Sequence, residues 1–302
     1  MTVAHYDASI SDEERRERIY AGELFIYSPT RESLELVDFA RGMLTQTFAP
    51  LDPETAQFSM SVQSFADLLG RLKPQFIHHP ECKRLLPAIL SRHGCDLEQT
   101  YFDVPRMRSS TSDNYLITGI AYAFHPHRDT WYSAPLCQIN WWLPIFPVHP
   151  SNAMAFHPRY WSQGVRNSSD IYNYQEWNRL NRFSAAKQIG VDMRPQPKAL
   201  EAVELEPDIR LLPPPGGLIV FSGAQLHSSV PNTSGRTRFS IDFRTVNLLD
   251  VASLRGAPNV DSRCTGSTMA DYLRCSDLQH LAPEVTAQYD AGPPQPVLSQ
   301  AG

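Results

Sequence analysis

Several features that would indicate a membrane, secreted or nucleic-acid-binding protein are missing from this sequence. The 302 residues contain no apolar run near the roughly 18 residues that a membrane-spanning helix requires. The first twenty residues have no apolar segment behind a basic start, so we expect no signal peptide. The formal net charge of -5 favours neither nucleic acid nor a membrane surface as a partner. We therefore predict a cytoplasmic protein with a small-molecule substrate, and a homodimer is one option for its assembly.

Cysteine is scarce, and its spacing does not indicate a disulfide framework or a structural zinc site. The five cysteines are an odd number, and no two of them form a CxxC motif. A zinc site requires Cys or His residues clustered at short spacing. We expect reduced thiols, as in a cytosolic protein. The cysteines are Cys82, Cys95, Cys137, Cys264 and Cys275.

The first hundred residues are predicted to be mainly helical. Serine residues and a Ser-Pro pair stand where helix caps are expected, and apolar residues recur at three-to-four spacing after them. A short apolar run at 24–27 predicts a strand between the first two helices. The helices are predicted at 13–20 after Ser11, beyond Ser28-Pro29, from Ser61, and from Pro80 to Gly94.

From about Tyr101 the pattern favours β-structure. Three runs, at 115–124, 138–146 and 217–221, are apolar or alternating and rich in β-branched and aromatic residues. Residues 238–246 (RFSIDFRTV) alternate polar and apolar side chains, as a half-buried strand does. Pro and Gly clusters separate these runs. Many short strands between turn signals predict an all-β core with helical additions, an α+β protein whose core is a sandwich or jelly roll.

These patterns divide the chain into three parts. Residues 1–100 form a helical addition packed on the core, 101–250 form the β core, and 251–302 form a C-terminal helix followed by a disordered tail. Residues 162–202 interrupt the β pattern with polar, helix-favouring sequence. A long insertion of this kind often covers an active site, so we predict a lid.

Two short segments carry metal-binding residue types. AFHPHRDTWY contains His127 and Asp129 two residues apart, a spacing that in a strand directs both side chains to one face. His227 follows a second predicted strand. Two imidazoles and one carboxylate on one side of an ion leave the opposite side open, an arrangement typical of iron(II) oxygenases.

An arginine in the alternating strand predicts a carboxylate-binding site. Arg238 lies eleven residues beyond His227 and two before Ser240. Its guanidinium presents a rigid fork that matches a carboxylate, such as the distal carboxylate of 2-oxoglutarate. Arg236 and Arg244 share its parity, so periodicity alone does not choose among the three.

Taken together, these residues resemble the phytanoyl-CoA dioxygenase family of iron(II)/2-oxoglutarate oxygenases. The resemblance covers about residues 101–247 and rests on His127-Arg128-Asp129, on the Gly-rich approach to LIVF, on the His-Ser-Ser segment with Asn232, and on Arg238. It implies a double-stranded β-helix (jelly roll, cupin-like) with an N-terminal helical region. It also implies Fe(II) as cofactor, with 2-oxoglutarate and O2 as co-substrates.

The resemblance also implies roles for individual residues. His127, Asp129 and His227 correspond to the iron ligands, while Ser229 and Arg238 correspond to the residues that hold the co-substrate carboxylate. Trp142 corresponds to an aromatic residue that lines the co-substrate pocket. Related halogenases have Gly or Ala in place of the carboxylate ligand, so Asp129 favours hydroxylation.

Several assignments stay open at the level of sequence. Gln138 and Asn140 share a strand face with Trp142, so they point either into the barrel toward co-substrate or substrate, or outward as a polar face. Ser240 is a further candidate for the co-substrate site. His125 could replace Asp129 in a cupin-like His-x-His pair with His127.

The predicted activity is a dioxygenase that hydroxylates an unactivated C–H bond of a small metabolite, as a tailoring enzyme of secondary metabolism does. One alternative is a cupin-like metalloenzyme that does not use 2-oxoglutarate. Another is a non-catalytic metal-binding barrel. The motifs concern the metal and the co-substrate, and they do not identify the substrate.

Overall fold

The computed structural model describes residues 3–121, 125–181, 185 and 187–294. Within these residues the chain is a mixed α+β protein with two sheets. The strands are β1 (Ala4–Tyr6), β2 (Leu24–Tyr27), β3 (Thr100–Phe102), β4 (Arg106–Ser110), β5 (Ile139–Pro144), β6 (Met154–Phe156), β7 (Ile209–Arg210), β8 (Leu218–Ser222), β9 (His227–Ser229), β10 (Arg238–Asn247) and β11 (Leu273–Arg274). The α-helices are α1 (Asp12–Tyr20), α2 (Arg31–Phe48), α3 (Val62–Ile77), α4 (Pro80–Arg92), α5 (Tyr174–Asn181), α6 (Leu248–Ala252) and α7 (Pro283–Thr286).

The larger sheet follows the order β1-β2-β8-β5-β10-β3-β11, and β4 pairs with β10 beside β3. All of its strand pairs are antiparallel except β1 with β2. The smaller sheet follows the order β7-β6-β9. A single antiparallel bridge between His127 and His227 extends it by one chain segment beyond β9.

Strand β10 shows how the alternating pattern builds the core. Phe239, Ile241 and Phe243 are completely buried in a cluster with side chains of α2, α3 and α4. Burial of each such side chain stabilises the fold by roughly 1.5–3 kcal/mol. Arg238, Ser240 and the following even-numbered residues lie on the opposite face of β10, which faces the space between the sheets. One strand therefore separates the helical layer from a polar interior.

A second apolar cluster joins the two sheets. Trp142 of β5 and Phe221 of β8 pack with Met154 and Phe156 of the smaller sheet. The rings of Phe156 and Phe221 meet edge to face, with centroids 4.9 Å apart. The interior is therefore apolar on this side and polar along β10.

The N-terminal helices agree with the sequence prediction, with one correction. Ser11 and Ser61 accept hydrogen bonds from the first turns of α1 and α3, as expected for N-caps. The cap of α2 is Thr30 rather than Ser28, because Thr30 forms a reciprocal capping pair with Ser33. The strand predicted at 24–27 forms and is part of the larger sheet.

The prediction of a strand at 115–124 was wrong within the described residues. Asp113 and Asn114 have φ angles of 55° and 57°, which turn the chain before the run begins. Residues 119–121 then form a short 3-10 helix. Leu116 and Ala121 are nevertheless buried, so the apolar run reflects packing without a strand partner. Residues 122–124 lie outside the described residues.

Helix α6 crosses the boundary at residue 250, and α7 lies within the described part of the segment 251–302. The predicted tail lies largely outside the described residues, which end at residue 294. All five cysteines are buried and free of disulfides, as expected. Among the described helices, none combines the length and the apolar character that crossing a bilayer would require.

Candidate metal centre

His127, Asp129 and His227 converge on one point. Each offers one ligand atom, and these atoms all lie within 4.8 Å of one another. Oδ1 of Asp129 lies 3.6 Å from Nε2 of His127 and 3.9 Å from Nε2 of His227. The three residues predicted as metal ligands therefore form a single cluster of suitable size for one ion.

The backbone brings these residues together in a way that the sequence did not predict. His127 and His227 exchange two backbone hydrogen bonds, of 3.0 and 2.9 Å. Asp129 lies at the start of a 3-10 turn rather than in a strand, and its N–H donates to the carbonyl of Gly223 at 2.9 Å. The prediction that a regular strand presents His127 and Asp129 on one face was wrong, although their side chains do meet.

Both imidazoles present Nε2 to the centre. Nδ1 of His127 lies 2.8 Å from the carbonyl oxygen of His125, and Nδ1 of His227 lies 3.0 Å from that of Gln225. A carbonyl oxygen only accepts, so each Nδ1 carries the proton and each Nε2 keeps a free lone pair. Burial, together with the nearby His127, lowers the pKa of His227 to about 4. His227 is therefore neutral near pH 7, as metal ligation requires.

Asp129 is held as a carboxylate, and its second oxygen is occupied. Burial alone would raise its pKa, but the close approach of His127 and the charge of Arg244 hold the pKa of Asp129 well below its ordinary value. Oδ2 accepts hydrogen bonds from Nε2 of Gln138 at 2.9 Å and from Nδ2 of Asn140 at 2.8 Å. Oδ1 is the oxygen that faces the imidazoles.

Gln138 and Asn140 thus point inward, and the alternative of an outward polar face is excluded. Their relative exposures are 3% and 5%. Their amide groups contact the carboxylate of Asp129 and each other, with 2.8 Å between Nε2 of Gln138 and Oδ1 of Asn140. The structure therefore places them around the carboxylate of the candidate ligand Asp129.

Arg238 is a buried cation without an anionic partner in contact. Its Nη1 donates to the backbone carbonyl of Asn152 at 2.8 Å, while its buried Nε has no hydrogen-bond partner. The guanidinium lies 5.7 Å from the ring centre of Trp142. Burial lowers the pKa of Arg238 to about 10, partly offset by the charge of Asp242.

The other two arginines of the same parity are already engaged. Arg236 is half exposed and pairs with Glu54 at 3.1 Å. Arg244 pairs with Asp103 at 3.1 Å. The structure thus makes the distinction that periodicity could not, because only Arg238 of the three lacks a carboxylate partner.

Two serines lie close to Arg238 and His227 along the chain. Ser240 is completely buried on the same face of β10 as Arg238, and its hydroxyl has no hydrogen-bond partner. Ser229 lies two residues beyond His227 on β9, on the same face of that strand, and pairs with Met154 of β6. Buried polar groups without partners are rare in folded proteins, so Nε of Arg238 and Oγ of Ser240 mark a place where a polar ligand would fit.

His125 does not take part in the ligand cluster of the described residues. Its side chain is exposed, and its backbone carbonyl serves to orient His127. The metal-binding group contains His127, Asp129 and His227. The geometry therefore favours the His-Asp-His set over the cupin-like alternative with three histidines.

Sequence reasoning missed several residues around the centre. Arg244 was considered only as a competitor of Arg238, but its Nε lies 4.0 Å from Oδ2 of Asp129. The ring of Tyr132 meets that of His127 edge to face at 5.5 Å. Tyr272, far along the chain, donates a hydrogen bond to Gln138. The even spacing of polar residues on β10 could have indicated Arg244, whereas nothing in the sequence indicated Tyr272.

The donor set has a clear chemical preference. Two imidazole nitrogens and one carboxylate oxygen suit a divalent first-row metal ion, and three protein ligands leave positions for other ligands. Such a set with open positions is typical of non-haem iron(II) oxygenases. The residues present therefore fit an Fe(II) ion.

Comparisons with known proteins identify only distant structural similarity. No protein-family model matches the chain, and no curated protein matches its sequence. The chain is similar to EvdO2 from Micromonospora carbonacea var. aurantiaca complexed with 2-oxoglutarate, with 12% identity over 80% of this chain and 92% of EvdO2 and a TM-score of 0.45. AviO1 from Streptomyces viridochromogenes Tue57 aligns with 12% identity over 80% and 96% of the two chains, with a TM-score of 0.39. SnoN, an alpha ketoglutarate dependent epimerase from nogalamycin biosynthesis, aligns with 13% identity over 78% and 84%, with a TM-score of 0.37. At these values the similarity assigns neither a family nor an activity to the chain.

Proposed function

We propose that the chain is an Fe(II)/2-oxoglutarate-dependent dioxygenase of the phytanoyl-CoA dioxygenase type that hydroxylates a C–H bond of a small metabolite. In the balanced reaction, 2-oxoglutarate, O2 and the substrate give succinate, CO2 and the hydroxylated product. A bound iron(II) ion would supply the activation of dioxygen. His127, Asp129 and His227 would hold this ion through the two Nε2 atoms and Oδ1.

The observation that carries the proposal is the unpaired guanidinium of Arg238. Burying a cation without an anionic partner is costly, and a carboxylate ligand would remove this cost. Arg238 lies on the same face of β10 as Arg244, which lies beside Asp129. A dicarboxylate between the metal centre and Arg238 would satisfy both the metal and the guanidinium, and Oγ of Ser240 offers a further hydrogen bond.

The sheet order supports a jelly-roll core. Along the chain, the strands alternate between the two sheets. The larger sheet contains β4, β5, β8 and β10, and the smaller sheet contains the segment at His127, the pair β6 and β7, and β9, which lie between them in the sequence. Two facing antiparallel sheets filled in this manner correspond to the double-stranded β-helix that cupin-like enzymes share.

The insertion at 162–202 is proposed to cover the substrate site. Tyr172 from this segment packs edge to face on Tyr132 at 5.5 Å, and Tyr132 packs on His127 in the same way. Trp177 of α5 continues this aromatic series beside Tyr172. A segment that packs on Tyr132, the neighbour of His127, can exclude water once a substrate is bound.

The test is calorimetric titration of the Mn(II)-loaded protein with 2-oxoglutarate. We expect binding that Arg238→Ala weakens roughly 10- to 100-fold, because a charge-assisted hydrogen-bond pair is lost. Arg236→Ala is the matched control, since Arg236 is half exposed and already paired with Glu54, and it should bind 2-oxoglutarate as the wild type does. Equal affinities of all three proteins would contradict the role of Arg238.

A further inference from the structure

Tyr272 connects the C-terminal part of the chain to the metal centre. Its hydroxyl lies 2.9 Å from Oε1 of Gln138, and the residue is completely buried. Gln138 in turn donates through Nε2 to Oδ2 of Asp129 and to Oδ1 of Asn140. Asn140 completes the network by donating through Nδ2 to the same Oδ2.

The direction of these hydrogen bonds follows from the carboxylate of Asp129, which can only accept. Oε1 of Gln138 can only accept, so the phenol must donate to it. The carboxylate of Asp129 fixes the amide with Nε2 toward Oδ2, because the opposite orientation would bring Oε1 against Oδ2, two acceptors in contact. Nε2 also donates to Oδ1 of Asn140, which leaves Nδ2 of Asn140 for Asp129. The hydroxyl of Tyr272 therefore supports, through Oε1 of Gln138, the orientation that the Asp129 carboxylate requires of the two amides.

The network determines which oxygen of Asp129 is available to a metal ion. Oδ2 accepts two N–H groups on the side of Gln138 and Asn140, while Oδ1 faces the two imidazoles. A carboxylate that uses both oxygens would occupy one more position on the ion. A single ligating oxygen leaves that position for the co-substrates.

We propose that Tyr272 is a positioning residue for the metal centre, acting through Gln138 and Asn140 to keep Asp129 as a ligand through Oδ1 alone. This inference rests on the metal-binding part of the proposed function and not on the identity of the substrate. It assigns a role in the site to the segment 251–302, which the sequence predicted only as a helix and a tail.

The surroundings of Tyr272 suit this role. It lies between a 3-10 turn (Met269–Asp271) and β11, which pairs with β3 at the edge of the larger sheet. Burial, followed by the charge of Asp103, raises the pKa of Tyr272 well above its ordinary value. The phenol therefore stays protonated and able to donate near neutral pH.

The test compares Tyr272→Phe with Tyr289→Phe. The hydroxyl of Tyr289 also belongs to the C-terminal part, but it donates to the backbone carbonyl of Val251 at 2.8 Å and does not bond Gln138. Co(II) is the probe metal, because its visible absorption reports coordination number. Three quantities are measured: the Kd of Co(II), the Co(II) spectrum at saturation, and the thermal midpoint of the metal-free protein.

We expect Tyr272→Phe to raise the Kd of Co(II) about 10-fold or more and to change the intensity of the visible bands, since loss of an outer hydrogen bond typically costs 10–100-fold in metal affinity. Tyr289→Phe should match the wild type in both the Kd of Co(II) and the Co(II) spectrum. Identical affinities and spectra for the two variants would overturn the inference. Failure of the wild type to bind Co(II) at all would overturn the proposed metal centre, and this inference with it.

Gln138→Met tests the same network without changing Tyr272, and the double variant tests whether Tyr272 acts through Gln138. Gln138→Met removes both hydrogen bonds that Nε2 donates. It should therefore weaken Co(II) binding and alter the Co(II) spectrum at least as much as Tyr272→Phe does. Because Tyr272 acts through Gln138, adding Tyr272→Phe to Gln138→Met should change the Kd by less than about two-fold. An effect of Tyr272→Phe that is equally large in both backgrounds would show an independent role and contradict the proposal.

Discussion

At the scale of single residues, a buried guanidinium holds the segment that carries two of the proposed ligands. Arg128 lies between His127 and Asp129 in the chain and is 1% exposed. It pairs with Asp261 at 3.0 Å and donates to the backbone carbonyls of Ala224, Tyr160 and Gln163. One side chain thus ties the turn at the metal centre to three other segments.

Removal of the carboxylate partner should destabilise the protein strongly. Asp261→Ala leaves Arg128 as a buried cation without a counter-charge and removes the acceptor of the indole N–H of Trp131. We expect a loss of about 3–5 kcal/mol in the free energy of unfolding, measured by urea denaturation. Asp277→Ala is the control, since its pair with Arg274 lies at the surface and should contribute little to stability. Equal losses for the two variants would contradict this account.

At the scale of elements, the sequence predicted best where periodicity and packing agree. The alternation RFSIDFRTV became β10, and the capped amphipathic patterns became α1, α3 and α4. The apolar run at 115–124 led to a wrong strand prediction, because β-branched and aromatic side chains can pack into a core from a turn as well as from a strand. The turn at Asp129 could not be predicted, because it depends on a backbone hydrogen bond to Gly223, almost a hundred residues away.

His93, at the C-terminal end of α4, should make the stability of the fold depend on pH. His93 is the C-cap of this helix, and its ring packs against those of Tyr27 and Trp141, with centroids 4.6 and 5.9 Å away. Its buried Nε2 has no hydrogen-bond partner. Burial, with the nearby charge of Arg15, lowers the pKa of His93 from 6.5 to about 4. Below pH 6.5 the unfolded chain therefore binds a proton that the folded chain does not.

Stability should consequently fall as the pH decreases from about 6.5 to about 4, and His93 should contribute no further change below that range. His93→Phe keeps the aromatic packing and removes the titration. The free energy of unfolding is measured by urea denaturation at about pH 6.5 and about pH 4. Between these pH values, the variant should lose roughly 1–3 kcal/mol less than the wild type. His78→Phe, at an exposed position, is the control, and parallel curves for His93→Phe and the wild type would contradict the prediction.

At the scale of the whole molecule, the site is assembled from parts that are distant in the sequence. The clustering of His127, Asp129 and His227 could be predicted from residue type and spacing, while the choice of Arg238 over Arg236 and Arg244 came from the family resemblance. The network of Gln138, Asn140 and Tyr272 could not, because it requires the C-terminal part to fold back beside β3. The pattern of a single sequence indicates which side chains of a segment are buried. It does not indicate which distant segment contacts them.

The central claim is that His127, Asp129 and His227 hold an iron(II) ion that 2-oxoglutarate chelates. The most direct measurement is anaerobic titration of the Fe(II)-loaded protein with 2-oxoglutarate, monitored for the weak visible metal-to-ligand charge-transfer band of the chelate. We predict a saturable band in the wild type that is absent in Asp129→Ala and in His227→Ala. Wild-type protein that holds iron and shows no band would contradict the 2-oxoglutarate assignment and favour a metalloenzyme that does not use this co-substrate.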